Sequence, residues 1–209
     1  MESINIKKKF DCAVIFIFIQ YIMSSTSSHL IKGRKNAKDV FITPKALAKM
    51  HIDMVPDEYK TDSSIWLDPC ANSNVYFDQF PDNIWNKYRY EILEGTSFLE
   101  SSFKKTTLED FHSGDMVEYV ICSNPPYSIL DDWFKKTIEL NPDCFSYLIG
   151  IGNLTARRIE WCEKAGYGLT KMKMLKVKSW YGMSVIVVFE KNKPSIMTID
   201  RKVWYPDND

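Results

Sequence analysis

The chain has 209 residues, of which 45% are hydrophobic and 26% charged, values typical of one globular domain. This composition excludes a disordered chain, a collagen-like repeat and a multi-span membrane protein. Lys and Arg number 27, as do Asp and Glu, so the net charge is zero and no global field attracts nucleic acid or an anionic membrane. Binding of that kind would depend on local patches.

Residues 1–40 predict an N-terminal extension made of an apolar segment followed by a basic arm. Lys7–Lys9 precede an apolar run from Phe10 to Met23, a pattern that resembles a signal peptide. The run contains Asp11 and Gln20 and is shorter than the ~20 residues of a spanning helix, so we expect no membrane span. A signal-like segment, a translation start at Met23 and a strand packed on the domain remain alternatives.

Cysteine and histidine positions give no metal or disulfide pattern. The five cysteines are odd in number, none lies in a Cys-x-x-Cys pair, and the three histidines do not cluster. We therefore expect no structural metal and a reducing, intracellular location, cytoplasmic or nuclear.

Residues 41–192 alternate between helix and strand patterns. Thr43 as N-cap and Pro44 at the first helical position predict a helix that ends before Pro56. Its apolar face carries Leu47, Met50 and Met54. A strand over 64–67, a short helix within 77–85 broken at Pro81, and a strand over 88–93 follow.

The second half of this region begins with a polar connection over 100–114 and a buried strand over 117–122. Ser128 and Asp131 predict a capping box, and Thr155 caps a further helix that stops at Gly166. The apolar face of the first of these helices carries Leu130, Trp133, Phe134 and Ile138. A strand over 145–151 lies between the two helices.

Strands over 169–180 and 183–189 end the region. A tight turn at Tyr181-Gly182 would make them antiparallel. The sequence thus predicts an α/β domain with a mainly parallel sheet and an antiparallel C-terminal strand, followed by a tail over 193–209.

Two unusual strand ends carry the candidate chemistry, because ligands of open parallel sheets bind at the carboxyl ends of the strands. One is Leu-Asp-Pro-Cys-Ala-Asn over 67–72, and the other is Ser-Asn-Pro-Pro-Tyr over 123–127. Asn124 supplies an acceptor oxygen, the two prolines lack N–H donors, and Tyr127 offers a flat face. Together they suit a planar ring that bears an exocyclic amino group.

Asn-Pro-Pro-Tyr at 124–127 is the signature of S-adenosylmethionine-dependent enzymes that methylate amino groups of planar systems, and the chain resembles the Dam-like and gamma-type N6-adenine DNA methyltransferases. Other motifs follow in the family's order: Phe-Ile-Thr-Pro at 41–44, Trp-Leu-Asp-Pro-Cys-Ala at 66–71, Tyr-Glu-Ile at 90–92 and Ser-Phe-Leu at 97–99. The resemblance covers about residues 41–190. It implies a Rossmann-like methyltransferase fold with S-adenosylmethionine as cofactor.

The resemblance also implies site residues. Those assigned to catalysis are Asn124, Pro125, Pro126 and Tyr127. Those assigned to the cofactor are Thr43, Pro44, Asp68, Pro69, Cys70, Asn72, Glu91, Ser97 and Phe98. Asn124 and Pro125 would accept the hydrogens of the adenine amino group, and Tyr127 would hold the flipped base.

The chain departs from the family where the cofactor loop has glycines, since Asn72 and Asn74 occupy those positions. Asn is the next best residue at positive φ, so the loop shape is expected to survive. Ser97 replaces an acidic residue of the family. These departures keep open a catalytically inactive methyltransferase-like subunit or a nucleic-acid-binding module. A methyltransferase for RNA or for glutamine in a protein shares the chemistry of the motif and is a further alternative.

Local basic residues are the candidates for nucleic-acid contacts, with DNA the favoured partner. They are Lys171, Lys173, Lys176 and Lys178 near the last hairpin, and Arg157 and Arg158 on the preceding helix. Lysines that protect a solvated sheet edge are the alternative for the first group. The stretch after Phe189 is too short for a target-recognition domain, so we expect low target specificity, a protein partner that supplies it, or a substrate that is already single-stranded.

Overall fold

A computed structural model describes residues 41–101, 117–178, 180 and 182–199. The predicted N-terminal extension, most of the connection over 100–114 and the tail beyond residue 199 lie outside the described residues. The described residues form three α-helices and six strands. The helices are α1 (Lys45–Met54), α2 (Leu130–Leu140) and α3 (Ala156–Lys164). The strands are β1 (Ile65–Asp68), β2 (Asn86–Arg89), β3 (Tyr119–Ser123), β4 (Cys144–Gly150), β5 (Tyr167–Leu175) and β6 (Ser184–Lys191).

All six strands belong to one sheet, in the order β2-β1-β3-β4-β6-β5. The pairs β1–β2, β1–β3 and β3–β4 are parallel, whereas β6 is antiparallel to both of its neighbours, β4 and β5. This arrangement confirms the predicted Rossmann-like α/β fold with a mainly parallel sheet and an antiparallel C-terminal strand.

Apolar side chains cover both faces of the sheet, as expected for a mainly parallel sheet. One face packs against α2 and α3, where the rings of Phe145 and Phe189 stack with centroids 4.8 Å apart. The other face packs against α1, with Ile52 and Trp66 in its core. The carboxyl ends of the parallel strands lie between these two layers.

The start of α1 differs from the sequence prediction by one residue. Pro44, with φ −58° and ψ 138°, is itself the N-cap, and its carbonyl accepts hydrogen bonds from the N–H groups of Leu47 and Ala48. Thr43 is therefore not the helix cap. The predicted end before Pro56 is confirmed, because Val55 is extended, as expected of a residue that precedes proline.

The predicted capping box of α2 is wrong. The helix begins at Leu130 and its N-cap, Ile129, makes no side-chain cap. Asp131 instead forms ion pairs with Arg157 and Arg158 of α3, so it joins the two helices. The predicted Thr155 cap of α3 is confirmed, since its side chain accepts a hydrogen bond from the Arg158 N–H.

Three predicted elements are shorter than expected. Only Phe77–Gln79 is helical within 77–85, as one 3₁₀ turn. Strand β2 ends at Arg89, because the Glu91 carboxylate caps a 3₁₀ turn over Ile92–Glu94. Strand β5 ends at Leu175, after a β-bulge between Leu169 and Lys171, so the connection to β6 is longer than a tight turn.

Candidate active site

A cleft opens where β1, β2 and β3 end side by side. The cleft volume is about 100 Å³. Its walls come from four segments: the chain before α1, the loop after β1, the end of β2 and the loop after β3. The lining residues are Phe41, Thr43, Cys70, Ala71, Asn72, Ser73, Val75, Tyr76, Glu91, Leu93, Asn124, Pro125 and Pro126.

Asn124 follows β3 directly and has a defined side-chain orientation. Its amide nitrogen Nδ2 donates to the Phe41 carbonyl at 3.4 Å and to Thr43 Oγ1 at 3.2 Å. Because a carbonyl can only accept, Nδ2 must face Phe41, and Oδ1 is left on the other side of the amide. Oδ1 is buried and accepts no hydrogen bond among the described residues. The cleft wall thus contains an unsatisfied acceptor.

The loop after β1 is held to the end of β2 by a buried carboxylate. Glu91 Oε2 accepts from the Asn72 N–H at 2.6 Å, and Oε1 accepts from the Leu93 N–H at 3.0 Å. Asn72 and Asn74 have φ of 44° and 61°, the left-handed conformation that favours glycine. The expectation that asparagine would keep this backbone shape is confirmed.

Asp68 lies beneath the cleft, fully buried at the end of β1. Its Oδ1 accepts from the Ser123 hydroxyl at 2.7 Å and from the Cys70 N–H at 3.2 Å, which joins the ends of β1 and β3. Burial away from water raises the pKa of Asp68 to about 7, against the opposing effect of the Ser123 and Cys70 hydrogen bonds.

The aromatic platform predicted at Tyr127 is covered on one face by Phe41. The two ring centroids are 5.1 Å apart with an interplanar angle of 28°. The Tyr127 ring lies beside the end of β4, where a Cβ at Gly150 would be 3.7 Å from Tyr127 Cε2, an ordinary van der Waals distance.

Several residues that the sequence assigns to the cofactor do not line the cleft. Pro44 is exposed at the start of α1, and Asp68 and Pro69 are buried below the loop. Ser97 is buried, and Phe98 packs on Trp133 at 4.6 Å in the core. Thr43, Cys70, Asn72 and Glu91 do line it, together with Asn124, Pro125 and Pro126. All the binding roles stay predictions.

The sequence assigns no site role to Phe41, Tyr76 or His51, although Phe41 stands in the motif at 41–44. Tyr76 lines the cleft, and His51 is buried behind it with a hydrogen bond to the Tyr76 hydroxyl. Only the spacing within α1 could have placed His51 on the buried face, next to Ile52.

The basic residues predicted to contact nucleic acid lie on both faces of the sheet. Lys171 donates to the Met54 carbonyl at the end of α1, and Lys173 is exposed on β5. Lys176 instead holds the hairpin connection, donating to the carbonyls of Trp180 at 2.7 Å and Gly182 at 2.6 Å. Lys178 is exposed. Arg157 and Arg158 lie on α3, across the sheet.

Two kinds of feature are absent from the described residues. None of their helices combines the length and apolarity that a bilayer crossing requires. Within the same ranges, no cluster of three or more His, Cys, Asp or Glu residues is placed to bind a metal ion.

No protein-family model matches this sequence, and no curated protein matches it. Solved structures do. The 23S rRNA methyltransferase ErmE is 9% identical, with a TM-score of 0.49 over 76% of this chain and 72% of that one. Magnesium protoporphyrin IX methyltransferase from Synechocystis PCC 6803, solved with bound SAH, is 10% identical, with a TM-score of 0.48 over 84% and 98%. TYW2 of M. jannaschii, in complex with AdoMet, is 14% identical, with a TM-score of 0.43 over 73% and 78%. At these identities the similarity concerns the fold alone.

Proposed function

We propose that this chain transfers a methyl group from S-adenosylmethionine to the exocyclic N6 amino group of adenine in DNA. The observation that carries the proposal is the orientation of Asn124. Its Oδ1 is an unsatisfied acceptor in the cleft wall, at the first position of the Asn-Pro-Pro-Tyr signature. An amino group is a donor that suits such an oxygen.

The donor and acceptor set of the cleft fits S-adenosylmethionine. The Glu91 carboxylate lines the cleft beside the loop after β1, where it accepts from the N–H groups of Asn72 and Leu93. A carboxylate oxygen accepts hydrogen bonds, which suits Glu91 to ribose hydroxyls. Thr43 and Phe41 also line the cleft. Bound there, the cofactor supplies a methyl group made electrophilic by its sulfonium.

The chain's own contribution to the chemistry is positioning and electrostatics. The lone pair of the adenine amino nitrogen is delocalised into the ring, which makes the nitrogen a poor nucleophile. Acceptance of the amino hydrogens by Asn124 Oδ1 and the Pro125 carbonyl favours a localised lone pair and aims it. The N–C bond would form as the bond between the methyl carbon and the sulfonium sulfur breaks, and the amino nitrogen would then lose one proton to water. A duplex base must first be flipped out of the stack.

A second candidate function is a methyltransferase-like module that binds nucleic acid without catalysis. Two observations favour it. Asn72 carries a side chain at a left-handed position where the family has glycine. Ser97, which stands in the place of the family's acid, is buried outside the cleft lining. Both remove features that the family uses to bind its cofactor.

Labelled methyl transfer to single-stranded DNA, duplex DNA, RNA and protein tests the proposal, because adenine in RNA and glutamine in a protein offer the same amino chemistry. We expect transfer to DNA adenine. Asn124→Ala should abolish transfer and leave the cofactor affinity unchanged. Asn83→Ala is the matched control, since the Asn83 amide donates to the Lys60 carbonyl away from the cleft. Turnover by Asn124→Ala, or absence of transfer to every substrate, contradicts the proposal.

A further inference from the structure

Asn153 is the last residue of a short 3₁₀ turn, Ile151–Asn153, that follows β4. Strand β4 is parallel to β3, with Tyr147 paired to Ser123, so this turn and the Asn-Pro-Pro-Tyr signature leave the sheet at the same edge. The sequence assigns no role to Asn153, and the chemistry proposed above does not use it.

The side-chain amide of Asn153 lies next to the Tyr127 ring. A Cβ at Gly150 would be 3.3 Å from Asn153 Nδ2 and 3.7 Å from Tyr127 Cε2, so the amide nitrogen and the ring edge border the same small space at the end of β4. Phe41 covers one face of the ring, whereas Asn153 is beside its Cε2 edge. The amide is therefore placed to reach the rim of a base that stacks on Tyr127.

The backbone of Asn153 is held in place, while its amide is available to a ligand. The Asn153 carbonyl accepts from Arg158 Nη1, and the same guanidinium pairs with Asp131 of α2. The Leu154 N–H donates to the Ile151 carbonyl at 3.1 Å and closes the turn. The Asn153 side chain is half-buried and forms no hydrogen bond with any other residue that the structure describes. Its amide can therefore turn the NH₂ donor toward a ligand without breaking a protein contact.

Adenine offers acceptors as well as its amino group. In the proposed chemistry, Asn124 Oδ1 and the Pro125 carbonyl accept the two amino hydrogens, and neither can recognise the ring nitrogens. N1 and N7, on either side of the carbon that bears the amino group, are acceptors that require a donor. An asparagine amide is a common donor to an adenine ring nitrogen, and flipped bases are recognised by hydrogen bonds to the same edges. Asn153 Nδ2 supplies such a donor beside the Tyr127 ring.

We infer that Asn153 contacts the substrate base and donates from Nδ2 to the ring nitrogen beside the amino group. A base that stacks on Tyr127 is free to rotate in the plane of the stack, and this hydrogen bond would fix that rotation. The amino group would then point toward Asn124. Asn153 would thus select for a ring acceptor next to the amino group, a feature that the acceptors of the signature do not test. This inference rests on the proposed function, because it concerns the base that Tyr127 would hold.

Methyl transfer by the full-length protein to single-stranded oligonucleotides with one target base tests the contact. The target is adenine, 1-deazaadenine or 7-deazaadenine, so each analogue lacks one ring nitrogen. We expect the wild type to lose roughly tenfold in kcat/KM on the analogue that lacks the contacted nitrogen. Asn153→Ala should lose roughly tenfold on adenine and treat that analogue and adenine alike. Asn83→Ala, the control away from the cleft, should keep the wild-type preference.

Asn153→Asp separates a donor from a packing role. Aspartate keeps the size and shape of asparagine but, when ionised, has no hydrogen to donate. We expect Asn153→Asp to be at least as impaired on adenine as Asn153→Ala. Wild-type kcat/KM in Asn153→Asp would overturn the inference, as would a wild type that discriminates against neither analogue. In both cases a wild type that methylates adenine, beside an inactive Asn124→Ala, leaves the proposed function intact.

Binding of the same oligonucleotides gives a readout that does not depend on methyl transfer. Fluorescence anisotropy should show that the wild type binds one deaza analogue more weakly than the adenine oligonucleotide, and that Asn153→Ala binds the two equally. If the wild type transfers no methyl group, the proposed function fails, and these affinities still decide the inference. Equal affinity of the wild type for adenine and both analogues, or an unchanged preference in Asn153→Ala, overturns it.

Discussion

Phe41 stacks on Tyr127, with ring centroids 5.1 Å apart and planes inclined at 28°. Phe41 also contacts Trp180 at 5.3 Å, so its ring lies between two aromatic side chains. The sequence assigns the Tyr127 face to the stacked substrate base. In this structure the Phe41 ring covers one face of Tyr127, so a base that stacks on that face must displace Phe41.

Phe41→Ala should therefore tighten the binding of a single-stranded oligonucleotide that contains one adenine. The aromatic pair is worth about 1 kcal/mol, which corresponds to roughly fivefold in Kd. Fluorescence of 2-aminopurine at the target position measures the binding. Ile42→Ala is the control, because Ile42 is 66% exposed beside Phe41. Unchanged or weaker binding by Phe41→Ala contradicts the assignment of Tyr127.

The left-handed backbone at Asn72 predicts different free energies of unfolding for two small substitutions. Glycine adopts φ of 44° without strain, whereas the Cβ of alanine makes this conformation unfavourable. Asn72→Ala should be less stable than Asn72→Gly by about 1 kcal/mol in urea unfolding. Asn72→Gly should also bind S-adenosylmethionine more tightly than the wild type, since a side chain leaves the cleft wall. Equal stability of the two variants would show that the loop relaxes.

Asp68 predicts a pH dependence of the free energy of unfolding. Its pKa rises from 3.8 in the unfolded chain to about 7 in the folded one, so the folded state binds the extra proton between those values. This group therefore stabilises the fold fully below about pH 4, and its contribution falls as the pH rises to 7, with a slope of at most about 1.4 kcal/mol per pH unit.

Asp68→Asn removes this titration and keeps an oxygen for Ser123 and Cys70. Its stability relative to the wild type should rise between pH 5 and pH 8, measured by urea unfolding at each pH. The control is Asp78→Asn, an exposed carboxylate on the 3₁₀ turn that follows the cofactor loop. A difference between Asp68→Asn and the wild type that does not vary with pH would show that Asp68 titrates normally.

Two of the predicted DNA-binding lysines should behave differently. Lys173 is exposed, so Lys173→Gln should weaken DNA binding and reduce the slope of log K against log salt by about 1, without loss of stability. Lys176 holds the carbonyls of Trp180 and Gly182, so Lys176→Gln should lower Tm and leave the salt slope unchanged. Salt titrations of DNA binding by both variants, monitored by fluorescence anisotropy, measure these slopes. If Lys173→Gln has the same salt slope as the wild type, Lys173 does not contact DNA.

The fold was predictable because its signals are local. The pattern of buried apolar runs and turn residues predicts the six strands in their order along the chain. Thr155 is a capping residue and predicts the start of α3. Errors occur where a side chain has a better distant partner than a local one. Thr43 bonds Asn124 instead of capping α1, Asp131 bonds the arginines of α3, and Glu91 ends β2 early.

The candidate site was predictable only in part. The motif residues identify the strand ends that meet at the cleft, and the glycine-like backbone of Asn72 follows from asparagine's tolerance of positive φ. The hydrogen bonds of His51 behind the cleft were not predictable, because His51 and Ser146 are 95 positions apart and neither belongs to a motif. The Phe41 stack on Tyr127 likewise depends on the tertiary fold.

Calorimetric titration with S-adenosylmethionine tests the central claim most directly. The wild type should give saturable heat for one site, and Glu91→Gln should bind roughly tenfold or more weakly, because the amide cannot accept on both sides as the carboxylate does. Glu94→Gln is the matched control on the same turn, since Glu94 pairs with Arg89 on the outside. No heat from the wild type at millimolar cofactor would contradict the account.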